Sequence, residues 1–477
     1  MHSQRHPPAC SPLASRAFGS TGIVRPRLCS SPRSVDPGGG TPTNPLAAVV
    51  LVAVFVAVIV RQLSGRGPPV WILFVAGGFA TAALGILSLG AAEAAVAAAA
   101  PTLVFLFALF VFASALQAAG ALDHVARWMV GLAKNPRDLP LVLFCGIGLA
   151  SAFLVNDALV LIGVPVLVGV AVRLRTDPKP LLLVLGFAVT VGSTLTPFGN
   201  PQNLLIAVES GMRAPVATFL RYLALPTAVN LLLGGWFLRT VYGRSMPPAD
   251  AEYARARAAA PALFPEGGWG RRLLERPVLW AFPGTMVVLV TLDVTSALTN
   301  GPVVPVWETA LAGAVVLLVA TPDRTRILEG VNWSILLLFV GLFVVVAGAV
   351  EGGVISAVAG LLPIPGPGHP TEALLAVVGA SLGGVQVVSN VPWVALEIPT
   401  LSALGYGSGS GVIWVALAAG STLAGNLSLL GAVSNLILVD TAEKHGVSIR
   451  LGDFVRYGLP ITAITITVLL GCLFFRL

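Results

Sequence analysis

Residues 141–172 read LVLFCGIGLASAFLVNDALVLIGVPVLVGVAV, an apolar stretch of 32 residues with the polar pair Asn156 and Asp157 at its centre. A helix that spans a bilayer needs about 20 apolar residues, so the stretch is too long for one span and too short for two spans and a turn. Each arm would reach only about 22 Å at about 1.5 Å per residue. We therefore predict a hairpin that enters the membrane, turns at the polar pair, and leaves by the same face.

A second stretch, residues 373–404, has the same form, with Ser389 and Asn390 at its tip. Asn156 precedes a proline by nine residues, and so does Asn390. Non-helical backbone at membrane depth survives only where protein or a water-filled cavity satisfies its amide groups. Both tips are therefore predicted to line a cavity.

Each hairpin is followed by an apolar segment with a polar interruption. Residues 192–203 read GSTLTPFGNPQN, and residues 420–435 begin with the same four letters and also end in Asn. The two prolines and two glycines of the first interruption argue for a broken helix. We interpret the recurrence of hairpin and broken helix as an internal duplication.

Composition places the chain among polytopic membrane proteins. Of its 477 residues, 56% are hydrophobic and only 10% are charged. The four cysteines show neither metal-ligand spacing nor a disulfide framework, and no cluster of His, Cys and acids indicates a metal enzyme. The sequence therefore predicts a membrane protein that is neither an enzyme nor a partner of nucleic acid.

The chain divides into four parts. Residues 1–44, rich in Pro, Ser and Arg, are predicted to be a disordered basic tail. Residues 45–238 form the first repeat, 239–276 a cytoplasmic loop, and 277–477 the second repeat. Each repeat of this all-α fold would hold three spans, a re-entrant hairpin, a broken helix and a final span, which gives about ten crossings in total. An odd number of crossings per repeat inverts the second repeat relative to the first.

Basic residues orient the chain in the cytoplasmic membrane. With loop 239–276 inside, only three basic residues beyond the tail lie on the outer face, as the positive-inside rule requires. The five arginines of the tail would then lie outside. We therefore hypothesise that translation begins later, for example at Val35, and that the tail is not part of the native protein. Detection of the tail arginines by mass spectrometry would contradict this hypothesis.

Polar groups at the tips and breaks predict a binding site. Broken helices offer unpaired N–H groups and positive dipole ends to an anion, while Asn, Ser and Thr oxygens are ligands for sodium. The candidate binding side chains are Asn156, Asp157, Ser193, Thr194, Thr196, Asn200, Asn203, Ser389, Asn390, Ser421, Thr422, Asn426 and Asn435. Sodium at Asn156 and Asn390 is the one ion considered, and no other cofactor or metal is predicted.

Two acids are candidates for coupling transport to an ion gradient. Asp157 lies at predicted membrane depth, where an ionisable side chain marks a functional site by default. Its alternative role is a carboxylate that caps the second arm of the hairpin. Glu397, seven residues past Asn390, is a second coupling candidate or a structural acid that faces the cavity. The tip asparagines likewise have the alternative of turn residues that satisfy backbone groups.

These motifs resemble those of the ion transporter superfamily. The matching stretches are 153–157 (FLVND) with Pro165, 196–203 (TPFGNPQN), 389–392 (SNVP) and 420–426 (GSTLAGN). Over residues 45–477 the chain is similar to citrate-transporter-like permeases and arsenical pump membrane proteins, and is related to divalent anion:sodium symporters. The resemblance implies a scaffold, a mobile transport domain, a homodimer, and anion movement by an elevator-like displacement. In the symporters the tip asparagines, matched here by Asn156 and Asn390, serve sodium and the substrate carboxylate.

The sequence thus predicts a secondary active transporter of a small anion, either a carboxylate or an inorganic oxyanion, coupled to sodium or protons by alternating access. Its partners would be this solute, membrane lipid and a second copy of the chain. The alternatives are arsenite efflux or sodium/proton antiport on the same fold. A different class, a polytopic enzyme for lipid-linked substrates, would have to use loop 239–276.

Overall fold

Helices make up the regular structure of this chain. The computed structural model describes residues 43–64, 67–246, 248, 251–258, 276–299, 301–362 and 364–477. Within these ranges every regular element is helical and none is a strand, as the sequence predicted. The predicted disordered tail lies almost wholly outside the described residues.

The helices fall into two series that are separated by a short helix in the central loop. The first series is α1 (Pro45–Ser64), α2 (Val70–Ala83), α3 (Leu89–Ala98), α4 (Ala100–Ala118), α5 (Ala121–Leu132), α6 (Leu139–Ser151), α7 (Asn156–Arg173), α8 (Pro178–Gly192), α9 (Pro201–Glu209) and α10 (Pro215–Tyr242). The loop helix is α11 (Ala251–Ala258). The second series is α12 (Val278–Thr299), α13 (Val306–Ala320), α14 (Arg324–Glu329), α15 (Trp333–Glu351), α16 (Val354–Leu361), α17 (Pro370–Val388), α18 (Asn390–Ala403), α19 (Gly411–Ala424), α20 (Val433–Lys444) and α21 (Leu451–Phe474).

The order of elements in the first series recurs in the second. In both, a short helix precedes two helices joined by a tight turn, and then comes a helix that is broken by a loop with one 3₁₀ turn. The turns join α6 to α7 and α17 to α18, and the breaks separate α8 from α9 and α19 from α20. This recurrence supports the predicted duplication, while the inversion of one half across the membrane stays a prediction.

Packing between the halves is reciprocal. Helix α2 packs against α15 and α4 packs against α13. In the same way α7 packs on α20, and its counterpart α18 packs on α9. The second arm of each hairpin therefore rests on the broken helix of the other half, which brings both tips and both breaks to one region.

Among the described residues, eight helices are long and apolar enough to cross a membrane by length and composition. They are Ala100–Ala118, Asn156–Arg173, Pro178–Leu195, Pro215–Tyr242, Val278–Thr299, Trp333–Glu351, Pro370–Val388 and Leu451–Phe474. The chain is thus a multi-pass membrane protein, as predicted. Two of the eight, α7 and α17, are the arms that the sequence assigned to re-entrant hairpins, so the re-entrant path stays a prediction.

The division into two repeats and a central loop stays a prediction, but the last helix before the loop is longer than predicted. Helix α10 passes position 238 and continues to Tyr242. Contacts explain the extension, because Arg239 donates to Asp138 at 2.6 Å and the Tyr242 ring packs 4.9 Å from that of Tyr457. The loop is also partly helical, since it contains α11, whose Tyr253 hydroxyl donates to the carbonyl of Ala133 at 2.8 Å. Residues 259–275 of the loop lie outside the described residues.

Candidate functional site

Both hairpin tips line one cavity. About 580 Å³ of empty space lies between the lining residues, open solvent included. One side is formed by the tips at 156–157 and 388–392 and by the starts of α9 and α20. The lining residues from α1, α2 and α15 are all apolar and form the apolar wall, with Phe74 and Phe339 among them.

Four helices begin at this cavity. Helix α7 starts at Asn156, α9 at Pro201, α18 at Asn390 and α20 at Val433, and each of these residues lines it. The first N–H groups of a helix have no carbonyl partner in their own helix, and the dipole places partial positive charge there. No Lys or Arg lines the cavity in the described part of the chain. The arrangement can therefore attract a solute with negative or partly negative oxygens without a formal positive charge.

Asn156 is held by the protein on all sides of its amide. One terminal atom lies 3.0 Å from the carbonyl oxygen of Val189 and 2.9 Å from that of Gly199, so this atom is the nitrogen because carbonyls only accept. The same nitrogen lies 2.8 Å from Ser151 Oγ, so its two hydrogens are shared among three acceptors, and the amide oxygen accepts from Ser193 Oγ at 3.2 Å. The Asn156 side chain thus ties the first tip to α8 and to the loop after it, which matches the turn-residue alternative.

Asn390 is engaged differently, although it occupies the same position in the second tip. Its oxygen accepts from the Val391 N–H at 2.9 Å and from Ser389 Oγ at 3.4 Å. Its amide nitrogen has no hydrogen-bond partner among the described residues, and Asn390 lines the cavity. Ser389 before it adopts φ 69° and ψ 165°, a region populated almost only by glycine, which indicates strain held at the tip.

We predict that Asn156→Ala lowers the free energy of unfolding by about 3 kcal/mol, because it removes a buried amide that bonds to two carbonyls and two hydroxyls. Asn390→Ala should change it by less than about 1 kcal/mol, since only local contacts are lost. Thermal unfolding of both variants in detergent tests the difference. Equal melting temperatures for the two variants would contradict the assignment of a structural role to Asn156.

A polar network joins the two halves beside the cavity, and Thr422 is its centre. The Thr422 hydroxyl accepts from Asn200 Nδ2 at 3.1 Å and from Gln202 Nε2 at 3.2 Å, and it lies 3.1 Å from Asn203 Oδ1. Asn200 Nδ2 also donates to Ser193 Oγ at 3.0 Å. Thr422 and Ser193 were candidates for solute contacts, but their hydroxyls are occupied by these bonds and do not line the cavity.

The loops of the two broken helices are built alike. Asn203 Nδ2 donates to the carbonyls ten and seven residues before it, those of Ser193 and Thr196, at 2.9 and 3.3 Å. Asn435 Nδ2 donates at the same offsets, to the carbonyls of Gly425 and Ser428, at 2.8 and 3.2 Å. These bonds support a candidate role for both asparagines in shaping the loops, and neither residue lines the cavity.

This register corrects the match that the sequence offered. The repeated letters GSTL pair 192–195 with 420–423. In the structure, however, Asn203 and Asn435 are equivalent, so Ser193 corresponds to Gly425 and not to Ser421. Ser421 lies inside α19, where its hydroxyl donates to the carbonyl of Ala418 at 3.2 Å.

Four further candidates lie outside the cavity lining. Thr194 bonds to Thr227, and Thr196 donates to the carbonyl of Ala152. Asn426 is fully buried, and neither of its amide atoms has a partner in the described part of the chain. Glu397 is also buried, with Oε2 unpartnered among these residues, and it does not reach the cavity.

Asp157 does line the cavity. It is 8% exposed, it lies in the first turn of α7, and no described residue donates a hydrogen bond to its carboxylate. The structure also places two polar residues there that the sequence analysis did not select, Gln202 and Ser434. A signal for them existed, because each immediately precedes the asparagine that holds its loop, Asn203 or Asn435.

Sequence comparison links the chain to membrane transport proteins. The family model described as "Citrate transporter" (CitMHS) matches residues 47–420. The 46 kDa membrane protein of Mycobacterium leprae is 28% identical over 375 residues, which cover 76% of this chain and 83% of that protein. The silicon efflux transporter LSI3 of Oryza sativa subsp. japonica is 28% identical over 423 residues, which cover 77% of this chain and 85% of the relative.

The fold is also similar to solved transporter structures. The YdaH transporter of Alcanivorax borkumensis gives a TM-score of 0.50 at 15% identity, with 90% of this chain and 98% of that chain covered. MtrF of Neisseria gonorrhoeae, which belongs to a class of antimetabolite efflux pumps, gives 0.50 at 14% identity, with 90% and 94% covered. At these identities the likeness concerns the fold alone. The family match, which covers most of the chain, confirms the resemblance found in the sequence: this protein is a membrane transporter of the citrate transporter family.

Proposed function

We propose that the chain is a secondary active transporter that binds a small anion or oxyacid in the cavity between the two hairpin tips. The observation that carries this proposal is the convergence of four helix starts and both tips on one cavity. Oxygen atoms of a solute would accept hydrogen bonds from first-turn N–H groups and lie at the positive ends of the helix dipoles. The cavity would therefore bind the solute through the solute's own oxygen atoms.

The uneven lining of this cavity supports alternating access as the transport mechanism. The polar wall belongs to the hairpins and broken helices, and the apolar wall belongs to α1, α2 and α15. An apolar wall makes no directed bonds to the solute, so the polar elements with their solute can move past it at low cost. We propose that α6–α9 and α17–α20 move as the transport part in a homodimer, and that Asp157 couples this movement to protons or sodium.

A second candidate is efflux of a neutral oxyacid in exchange for protons. The cavity lining holds the carboxylate of Asp157 and, among the described residues, no basic side chain. Such a lining suits an uncharged hydroxylated solute better than a polyanion. The rice relative at 28% identity is a silicon efflux transporter, which agrees with this candidate, and arsenite would be a comparable solute.

The experiment is flux into proteoliposomes with imposed proton or sodium gradients, using citrate, succinate, phosphate, sulfate, arsenite and silicic acid. We expect at least one solute to accumulate with one gradient and not with the other. Liposomes without protein, and proteoliposomes whose gradient has been collapsed by an ionophore, are the controls. Flux that is absent for all six solutes, or indifferent to both gradients, would contradict secondary active transport of this solute class.

A further inference from the structure

The polar atoms around the cavity are unevenly engaged. In the first half, Asn156 uses its whole amide on the protein, and Asn200 uses Nδ2 on Ser193 and Thr422 and Oδ1 on the Asn203 N–H at 2.8 Å. In the second half the amide nitrogen of Asn390 has no partner in the described part of the chain. The two halves therefore share a plan but differ in which atoms they leave for a solute.

Ser434 provides a second unengaged group on the same side. It is the second residue of α20, it lines the cavity, and it is only 3% exposed. No described residue bonds to its hydroxyl, whereas its structural counterpart Gln202 donates to Thr422 at 3.2 Å. A hydroxyl that is shielded from bulk solvent and has no protein partner is available for a hydrogen bond to a solute in the cavity.

Three cavity-lining side chains that have an unengaged polar group differ in what they require. Asn390 Nδ2 only donates, the Asp157 carboxylate only accepts when ionised, and the Ser434 hydroxyl does both. A solute that satisfies all three must carry an acceptor oxygen and a hydroxyl donor within a small volume. A fully ionised tricarboxylate offers acceptors only, and it would meet the Asp157 carboxylate and the apolar wall of Phe74 and Phe339 with no Lys or Arg among the described lining residues.

We propose that Ser434 and Asn390 of the second half contact the solute together with Asp157, and that the solute is a compact hydroxylated oxyacid in a neutral or singly charged form. This inference rests on the proposed function, because it assigns the substrate class and the contacts of the same cavity. In it, the solute donates a hydroxyl to Asp157, accepts from Asn390, and exchanges hydrogen bonds with Ser434. The network around Thr422, which joins the two halves, holds the starts of the broken-helix loops in place beside this solute.

Counterflow in proteoliposomes that contain the full chain tests this assignment, with arsenite, silicic acid, phosphate and citrate as probes. Ser434→Ala should raise the KM for the preferred oxyacid about tenfold, the loss expected for one buried hydrogen bond, with little change in maximal rate. Ser434→Thr, which keeps the hydroxyl, should stay within about threefold of the wild type. Ser402→Ala is the matched control, because Ser402 lies on the exposed face of α18 and donates to the Ile398 carbonyl at 2.9 Å.

The outcomes separate this inference from the proposed function. A wild type that moves none of the solutes contradicts the proposed function and this inference with it. A wild type that prefers citrate, or that keeps its KM in Ser434→Ala, contradicts the inference alone. Should Ser434→Ala fail to fold, Ser434→Cys against Ser434→Thr carries the same comparison, because the thiol is a much weaker hydrogen-bonding group of similar size. Equal KM values for these two variants would then overturn the role of Ser434.

Discussion

Asp157→Asn will reduce gradient-driven accumulation of the solute by about a hundredfold, while exchange of solute across the membrane stays largely intact. A hundredfold effect is at the upper end of the usual coupling between two ligands that bind to one protein. Asp157 is the one carboxylate among the described residues that line the cavity, and no described side chain neutralises it. Asparagine has the shape of aspartate, but it cannot take up and release a proton and has no charge with which to bind a cation. Binding would thus continue without a link to the gradient.

The measurement compares two modes in the same proteoliposomes, accumulation under an imposed gradient and counterflow without one. Asp440→Asn is the matched control, since Asp440 is exposed and pairs with Lys444 at 2.6 Å near the end of α20. The capping alternative predicts a different result, in which Asp157→Asn lowers thermal stability and reduces both modes alike. Accumulation at the wild-type level in Asp157→Asn would contradict a coupling role.

Gly192→Ala will strongly destabilise the protein, by about 3 kcal/mol or more. A Cβ atom at Gly192 would lie 1.9 Å from the carbonyl oxygen of Gly148 and 2.4 Å from its Cα. These are backbone atoms, so no side-chain rotation relieves the clash, and α6 must separate from α8. The separation would also disturb the loop that starts at Ser193 and holds the first tip.

Fluorescence-detected size-exclusion chromatography after heating measures this loss. The matched control is Gly379→Ala in α17, because a Cβ at that helical glycine has no neighbour within 4 Å. Replacing a glycine by alanine in a helix interior stabilises by about 0.5–1 kcal/mol, so the control should melt slightly higher than the wild type. A Gly192→Ala variant that melts with the control would show that α6 and α8 are not packed as closely as described.

The sequence predicted the elements of the fold because their signals are local. Apolar length and polar tips located both hairpins, and the starts of α7 and α18 fall at the predicted residues Asn156 and Asn390. Proline and glycine in 192–203 predicted the first break, which separates α8 from α9. The end of α10 was missed because its last turn depends on Asp138 and Tyr457, which are distant in the chain.

The atoms that remain free at the cavity could not be predicted in this way. Asn156 and Asn390 are the same residue in the same position, yet only Asn156 meets the carbonyls of Val189 and Gly199. Whether a polar side chain forms its hydrogen bonds with the protein or leaves them for a solute depends on such neighbours and not on the type of residue. The repeated GSTL letters misled for a related reason, since the loop register is fixed by the amides of Asn203 and Asn435, ten residues after the carbonyls that they hold.

The reciprocal packing of hairpin arms on broken helices has a consequence for biosynthesis. Helix α7 rests on α20 and α18 rests on α9, so neither half of the chain contains a finished set of contacts. The amino-terminal half is synthesised first. Until the second half is made, the helix starts of the first half are exposed to lipid, where unpaired peptide groups are costly. An insertion factor or translocon that shelters α6–α9 until α20 arrives would meet this need. Truncated chains that end in the central loop should accordingly be cleared by quality-control proteases.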